Sequence, residues 1–319
     1  MYKQQKLGII LNPAAGRGRA GDIRKRLISC LQEKKIPFQL ELTRGPGHAK
    51  EIAFRMSEIF ETIVAAGGDG TVNEVVSGIV GRKAAIAILP LGSGNDFNKV
   101  IGISKKIDHA IDAIINGTRK LLDLGKVNYW NHSGEKKERY FINTLGIGLD
   151  AEIAKETKQI KFLHGLPLYL LAAIKALQKH SPNEYKITDE KMTKVERAFF
   201  ICAGNGCFEG GGFKLLPNAN PEDSLLDICI LGVMPIHKAI GIIPKLIKGT
   251  HENLSKVSMW KARKFSIEGK NTFILHGDGE VFEENTLCVE VKLAPSRISF
   301  VIPKEIEGRS LLRSFHFGN

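Results

Sequence analysis

The stretch Ile63 to Asn73, IVAAGGDGTVN, constrains this chain more than any other. The apolar run from Thr62 to Ala66 has the length and β-branched content of a buried strand, and it empties into Gly67-Gly68-Asp69-Gly70-Thr71. Val72, Val75, Val76 and Ile79 then recur at helical spacing. The stretch predicts a strand, a glycine turn and a helix start. Three glycines in four residues allow positive φ and leave no Cβ in the way, so backbone N–H groups can close on a phosphate at the positive helix end. Asp69 is the only formal charge in the loop, and it would repel a phosphate unless a metal, a lysine or a reacting hydroxyl offsets it. That combination points to phosphoryl transfer rather than passive anion binding. Thr71-Val72-Asn73-Glu74 also fits a capping box. Glu74 is therefore given a structural role, and Thr71 is expected to cap the helix and contact ligand at once.

The same punctuation recurs along the first half. Leu7 to Leu11 form an apolar strand that stops at Asn12-Pro13-Ala14-Ala15-Gly16-Arg17-Gly18, ahead of a helix from about Ala20 to Lys34. Gln39 to Leu42 read as a strand followed by Thr43-Arg44-Gly45-Pro46-Gly47-His48-Ala49, in which His48 opens a helix with no acid nearby and is read as structural. Ala85 to Leu89 form a fourth strand that ends in Leu89-Pro90-Leu91-Gly92-Ser93-Gly94-Asn95-Asp96-Phe97. In an open parallel sheet such loops gather at the carboxyl ends of the strands, where ligands bind.

NPAAG, GGDGTVNEV and LPLGSGNDF, in this order and spacing, resemble the diacylglycerol kinase catalytic family, which takes in bacterial lipid kinases and sphingosine and ceramide kinases. The resemblance implies an α/β N-terminal nucleotide-binding domain of the NAD kinase and diacylglycerol kinase kind, with a β-rich antiparallel sandwich as second domain. It implies ATP as cofactor, contacted by Asn12, Pro13, Ala14, Ala15, Gly16 and Arg17 of the first loop, and by Thr43. The central loop adds Gly67, Gly68, Asp69, Gly70, Thr71, Val72 and Asn73, and the next adds Ser93. Asn95 and Asp96 would shape a cleft between the domains, and Lys161 resembles a family lysine that approaches the phosphates.

Near Arg119 to Gly125 the pattern changes to short alternating segments, such as Lys120 to Val127, Arg139 to Thr144, Glu196 to Ala203, Leu226 to Leu231 and Leu287 to Leu293. The expected division is residues 1–124 plus 303–319 for the ATP-binding domain and 125–302 for the lipid-substrate sandwich. One helix interrupts the strands, Gly165 to His180, whose apolar face of Leu166, Tyr169, Leu170, Ala173 and Leu177 is read as core. Two loops here carry chemistry. Acids and exposed carbonyls alternate in PNANPEDSLLD, as a hard divalent cation requires. By the resemblance a structural Mg²⁺ would take the Asp223 side chain and the carbonyls of Asn220 and Leu225, although Ser224 stands where the family has glycine. In His276-Gly277-Asp278-Gly279-Glu280 a strand enters a turn that needs no further role as a hairpin. The resemblance makes its Asp278 or Glu280 the general base that activates a lipid hydroxyl, and Asp69 is read as a third catalytic carboxylate that helps to place metal and acceptor.

The balance of 46 basic against 34 acidic residues gives +12 and a pI near 9.4. Such a surface is drawn to nucleic acid, anionic phospholipid or nucleotide, and charge alone does not choose. Read with the motifs, it predicts peripheral contact with an anionic membrane holding the lipid substrate and no nucleic-acid partner; a homodimer is an assembly open to it. The N-terminus has too short an apolar core for a signal peptide, and Leu166 to Leu177, broken by Pro167 and Lys175, falls short of the roughly 18 apolar residues of a spanning helix. A cytoplasmic protein at the inner membrane face is expected. Its five cysteines have no C-x-x-C spacing and read as reduced thiols. The function expected is an ATP-dependent kinase of diacylglycerol or a related lipid. NAD kinase and a non-catalytic lipid or nucleotide sensor are the alternatives.

Overall fold

The computed structural model describes residues 6–18, 20–92, 94–160, 162–163 and 165–304. Two compact units emerge: one runs to Leu122 and takes in the stretch from Ser296, and the other is Asp123–Pro295.

The first unit alternates strand and helix. β1 (Leu7–Leu11) leads through a 3-10 turn (Ala15–Gly18) to α1 (Ala20–Glu33), and β2 (Phe38–Leu42) leads to α2 (His48–Met56). β3 (Thr62–Gly67) is followed by α3 (Asp69–Ile79), and β4 (Ala85–Pro90) by α4 (Asp96–Val100), α5 (Ile107–Asn116) and β5 (Thr118–Leu122). β1, β3 and β4 are buried along their whole length, as parallel strands covered on both faces must be. The parallel register sets Leu42, Leu11, Ala66 and Leu89 on one rung, so the loops after β2, β1, β3 and β4 leave the sheet at the same level.

The second unit holds β6 (Gly125–Asn131), β7 (Lys136–Phe141), β8 (Thr144–Gly148), α6 (Leu149–Thr157), α7 (Gly165–Lys179), β9 (Asn183–Asp189) and β10 (Thr193–Gly204). It continues with β11 (Leu226–Gly232), α8 (Ile236–Gly241), α9 (Ile243–Lys248), β12 (Val257–Ala262), β13 (Lys264–Gly277) and β14 (Glu280–Leu293). Every pairing is antiparallel. β10 and β13 each pair with β9 through their first halves and with β8 through their second, so the circuit β10–β8–β13–β9 closes on itself. Val127, Tyr129, Tyr185, Ile187, Ile201 and Leu275 belong to the buried core that results. This is the β-rich antiparallel sandwich domain that the sequence predicts. The α7 helix sets Leu166, Tyr169, Leu170 and Leu177 against a second apolar cluster, in agreement with its core reading.

Two boundaries differ from expectation. Lys120 to Val127 is not one segment: β5 ends at Leu122 in the first unit, and β6 begins at Gly125 in the second. The last strand, β15 (Ile298–Ile302), was expected in the second domain but joins the first sheet, giving the order β2-β1-β3-β4-β15-β5. Its nearly unbroken apolar run suits an inner strand, and Phe300 lies opposite Ile86 and meets the Phe97 ring at 5.0 Å. Among the described residues no helix is long and apolar enough to cross a membrane. All five cysteines are free thiols, with Cys202, Cys207 and Cys229 buried.

Candidate active site

The first unit's loops are tied to one another at the level where the strands end. The Asn12 amide donates from Nδ2 to Thr71 Oγ1 at 3.1 Å, while its Oδ1 accepts from the Ala14 N–H at 3.0 Å. Thr43 N donates to the Leu11 carbonyl at 2.9 Å, which sets the buried Thr43 beside the first loop. Asp69 spans the other side: Oδ2 accepts from Asn95 N at 2.8 Å and Oδ1 from Asp96 N at 3.0 Å. Asn95 sits at φ 51°, with its side chain bonded to both backbone groups of Gly92, at 3.0 and 2.6 Å. Asp96 is in turn paired with Lys99 at 2.6 Å.

Of the two uses expected of the glycines, the absence of a Cβ is realised at Gly67 and Gly68 and the positive φ is not. Gly67, Gly68 and Gly70 all have negative or extended φ. A Cβ on Gly67 would collide with the Thr71 side chain, and one on Gly92 would lie 2.6 Å from Gly68 Cα, so two loops touch backbone to backbone. The capping box is also absent. α3 starts at Asp69 with Gly68 as its N-cap and no side-chain cap, which puts Thr71 inside the first turn. That leaves a positive helix end, rich in N–H donors, facing the loops. Glu74 is structural as expected, but across the fold: Oε1 and Oε2 accept from Gly47 N and Ala49 N at 2.7 and 3.0 Å and cap α2. His48 Nδ1 accepts from Arg44 N at 3.0 Å, consistent with its structural reading. The Arg17 side chain, Ser93 and Lys161 lie outside the described residues.

In the second unit, Asp278 and Gly279, at φ 51° and 81°, form a two-residue turn that joins β13 to β14. The Asp278 carboxylate is buried and accepts three backbone hydrogen bonds. Oδ2 accepts from Ile142 N at 3.0 Å, and Oδ1 accepts from Asn143 N and Thr144 N at 2.9 and 3.1 Å. Glu280, two residues on, is exposed. One carboxylate holds the turn and the other faces solvent.

The expected Mg²⁺ loop is arranged differently. Asp223 Oδ1 accepts from Leu225 N at 3.1 Å, and Oδ2 meets the Lys261 ammonium at 2.8 Å. Lys261 also reaches the Asn218 carbonyl at 3.2 Å and Asp227 Oδ2 at 3.1 Å. The Asn220 carbonyl is turned towards Asp223 N, at 3.4 Å. The Lys261 ammonium thus has one carbonyl and two carboxylates around it, so this donor set as arranged does not fit Mg²⁺. Ser224 does take the left-handed backbone that glycine would favour, at φ 60°, and its N–H donates to Asp123 Oδ2 at 2.7 Å. Burial pushes the Asp227 carboxyl up to about 6 against the opposing pull of Lys261.

Sequence reasoning did not find Lys261, Asp123 or the cross-loop use of Glu74. Their partners are 38, 101 and at least 25 residues away, beyond the reach of any local pattern.

Comparison with known proteins places these loops in context. Residues 6–127 match the model of the diacylglycerol kinase catalytic domain, and residues 143–302 match the YegS C-terminal NAD kinase beta sandwich-like domain. The chain is 29% identical to the diacylglycerol kinase of Bacillus subtilis over 85% of its own length and 88% of that protein's. In fold it is similar to a crystal structure of a diacylglycerol kinase from Bacillus anthracis, with TM-score 0.73 and 22% identity over 96% of this chain and all of that one. An NAD kinase from Archaeoglobus fulgidus, solved in complex with ATP, is similar at TM-score 0.55 and 11% identity, covering 98% of this chain and 97% of that one.

Proposed function

We propose, for a chain that belongs to the diacylglycerol kinase catalytic family and is a lipid kinase, that it transfers the γ-phosphoryl group of ATP to the hydroxyl of diacylglycerol or a related membrane lipid. The observation that carries this reading is the level set of loops after β1, β2, β3 and β4, cross-tied by Asn12, Thr71 and Asp69 around the uncapped start of α3. Phosphates of the nucleotide bind there, on N–H groups at a positive helix end. ATP enters as its Mg²⁺ complex, which neutralises charge developing on the γ-phosphate.

Glu280 is the general base. Three backbone donors hold the buried Asp278 carboxylate in the turn, whereas Glu280 is exposed beside it. The lipid oxygen attacks the γ-phosphorus as Glu280 takes its proton, the bond to the ADP oxygen breaks, and the phosphorylated lipid leaves; phosphatidic acid is the product from diacylglycerol. A positioned base of this kind contributes about 10²–10⁴ in rate. Asp69 acts by holding the fourth loop through Asn95 and Asp96. The +12 surface attracts the anionic leaflet that carries the substrate.

The test uses γ-labelled ATP with mixed micelles of anionic lipid and a panel of acceptors, beside an NAD control. Label should enter one lipid in the organic phase and fall by about 10² or more in Glu280→Gln. Label in NAD with none in lipid would make the chain an NAD kinase, and ATP binding with label in neither would make it a sensor.

A further inference from the structure

A second cluster in the Asp123–Pro295 unit is not used by the kinase reading. Gly146 of β8 is the cross-strand neighbour of Cys202 on β10 and of His276 on β13, so the three share one rung and the two side chains stand on one face with none between them. The residues flanking this rung, Leu145, Ile147, Ile201, Ala203 and Leu275, point to the other face and into the apolar core. Glycine is required at the centre, because a Cβ on Gly146 would collide with His276 Nε2 and Asp150 Oδ2. Asp150 comes from α6 and Glu209 from the segment after β10, and both converge on the histidine. His276 Nε2 lies 3.2 Å from Asp150 Oδ2 and 3.1 Å from Glu209 Oε1, with side-chain exposures of 1, 9 and 10%. The Cys202 thiol donates to Glu209 Oε2 at 3.5 Å.

As a plain ion cluster the arrangement is incomplete. Both ring nitrogens of His276 and Oδ2 of Asp150 are buried without a well-aligned hydrogen bond, even though two carboxylate oxygens lie within 3.2 Å of Nε2. An imidazolium held by carboxylates would be expected to donate along its N–H bonds. All three donor atoms lie within 4.8 Å of one another, close enough to share one ion bound at about 2.0–2.2 Å. A divalent ion would balance both carboxylates and leave the imidazole neutral. An imidazole in the set and a thiol beside it favour a borderline ion over the hard Mg²⁺. The groups also act on one another. Burial and the Asp150 charge push Glu209 up, and the two carboxylates hold His276 above its ordinary value although burial opposes this.

We propose that Asp150, Glu209 and His276 form a binding site for one first-row divalent transition-metal ion, zinc foremost, which staples α6 and the segment carrying Glu209 to the sheet. The site lies two residues before Asp278 and is separate from the Asp223 loop.

The experiment takes the full chain without nucleotide, stripped with chelator, dialysed against Zn²⁺ at pH 8 and assayed for metal content, with Co²⁺ as a spectroscopic probe. One equivalent per chain is expected, with a Co²⁺ d–d band, and His276→Gln and Glu209→Gln should each weaken binding at least tenfold with circular dichroism unchanged. Cys30→Ser with Cys288→Ser, which removes the two partly exposed thiols, should leave binding intact. No stoichiometric metal in the wild type, or equal binding in both ligand variants, would overturn the site and leave a buried ion cluster. Should either ligand variant fail to fold, the Co²⁺ spectrum of the wild type decides, since the absence of a ligand-field band also overturns it.

Discussion

The Lys261 ammonium lies 2.8 Å from Asp223 and 3.1 Å from Asp227, and it brings to the Pro217–Leu225 loop the positive charge that a bound cation would otherwise supply. The loop should therefore be indifferent to chelators in the wild type. In Lys261→Met the two carboxylates face each other without a counter-charge. Asp223 is partly solvated, so the cost should be about 1–2 kcal/mol by urea denaturation, with Mg²⁺ restoring part of it. Equal sensitivity of both proteins to EDTA would show that the lysine is not the counter-ion.

Asp227 sets a pH dependence in the same place. Its carboxyl titrates at about 6 in the folded chain, raised from 3.8 chiefly by burial, so the native state holds this proton more tightly than the unfolded chain does. The stability this supplies is complete below about pH 4 and is lost as pH rises through about 6. Asp227→Asn cannot titrate. The stability difference between wild type and variant should shift by on the order of 2 kcal/mol between pH 4 and pH 7, in the variant's favour at the higher pH.

Glu74 caps a helix it does not belong to. Glu74→Ala would leave Gly47 N and Ala49 N without their carboxylate partner, at a cost of about 1–2 kcal/mol. Hydrogen exchange should show the first turn of α2 loosening while α3 stays protected. Loosening confined to α3 would support the capping box instead.

The two acids of the β13–β14 turn should separate by assay. Asp278→Asn places an amide group against backbone donors and should lower stability by about 2–4 kcal/mol. Glu280→Gln, at an exposed site, should leave the melting temperature within about one degree and remove most activity. A stable, inactive Asp278→Asn would reverse the two roles.

Local pattern carried much of the first unit. Leu7–Leu11, Thr62–Gly67 and Ala85–Pro90 are apolar runs closed by Asn, Gly or Pro, and each is a strand at nearly the expected bounds. The glycines were legible as places where a Cβ would be in the way, but the positive φ also expected of them is not used, because composition does not distinguish positive φ from close contact. Gly67 is there for Thr71, and Gly92 for Gly68. The features missed are pairings across long separations. No periodicity marks Lys261 as the partner of Asp223, or Gly146 as the gap between Cys202 and His276, since both follow from strand order. β15 was assigned to the wrong unit because an apolar run of five residues fits either sheet.

The place of β15 between β4 and β5 bears on how the chain is made. The ribosome completes every residue of the Asp123–Pro295 unit before it reaches Ile298, so β4 and β5 wait through that interval without the strand that joins them. β4 then presents a bare apolar edge, the kind of surface on which nascent chains associate. The sandwich can mature while the parallel sheet remains unfinished, and a stall or truncation ahead of Ser296 should yield aggregates rather than a free first unit.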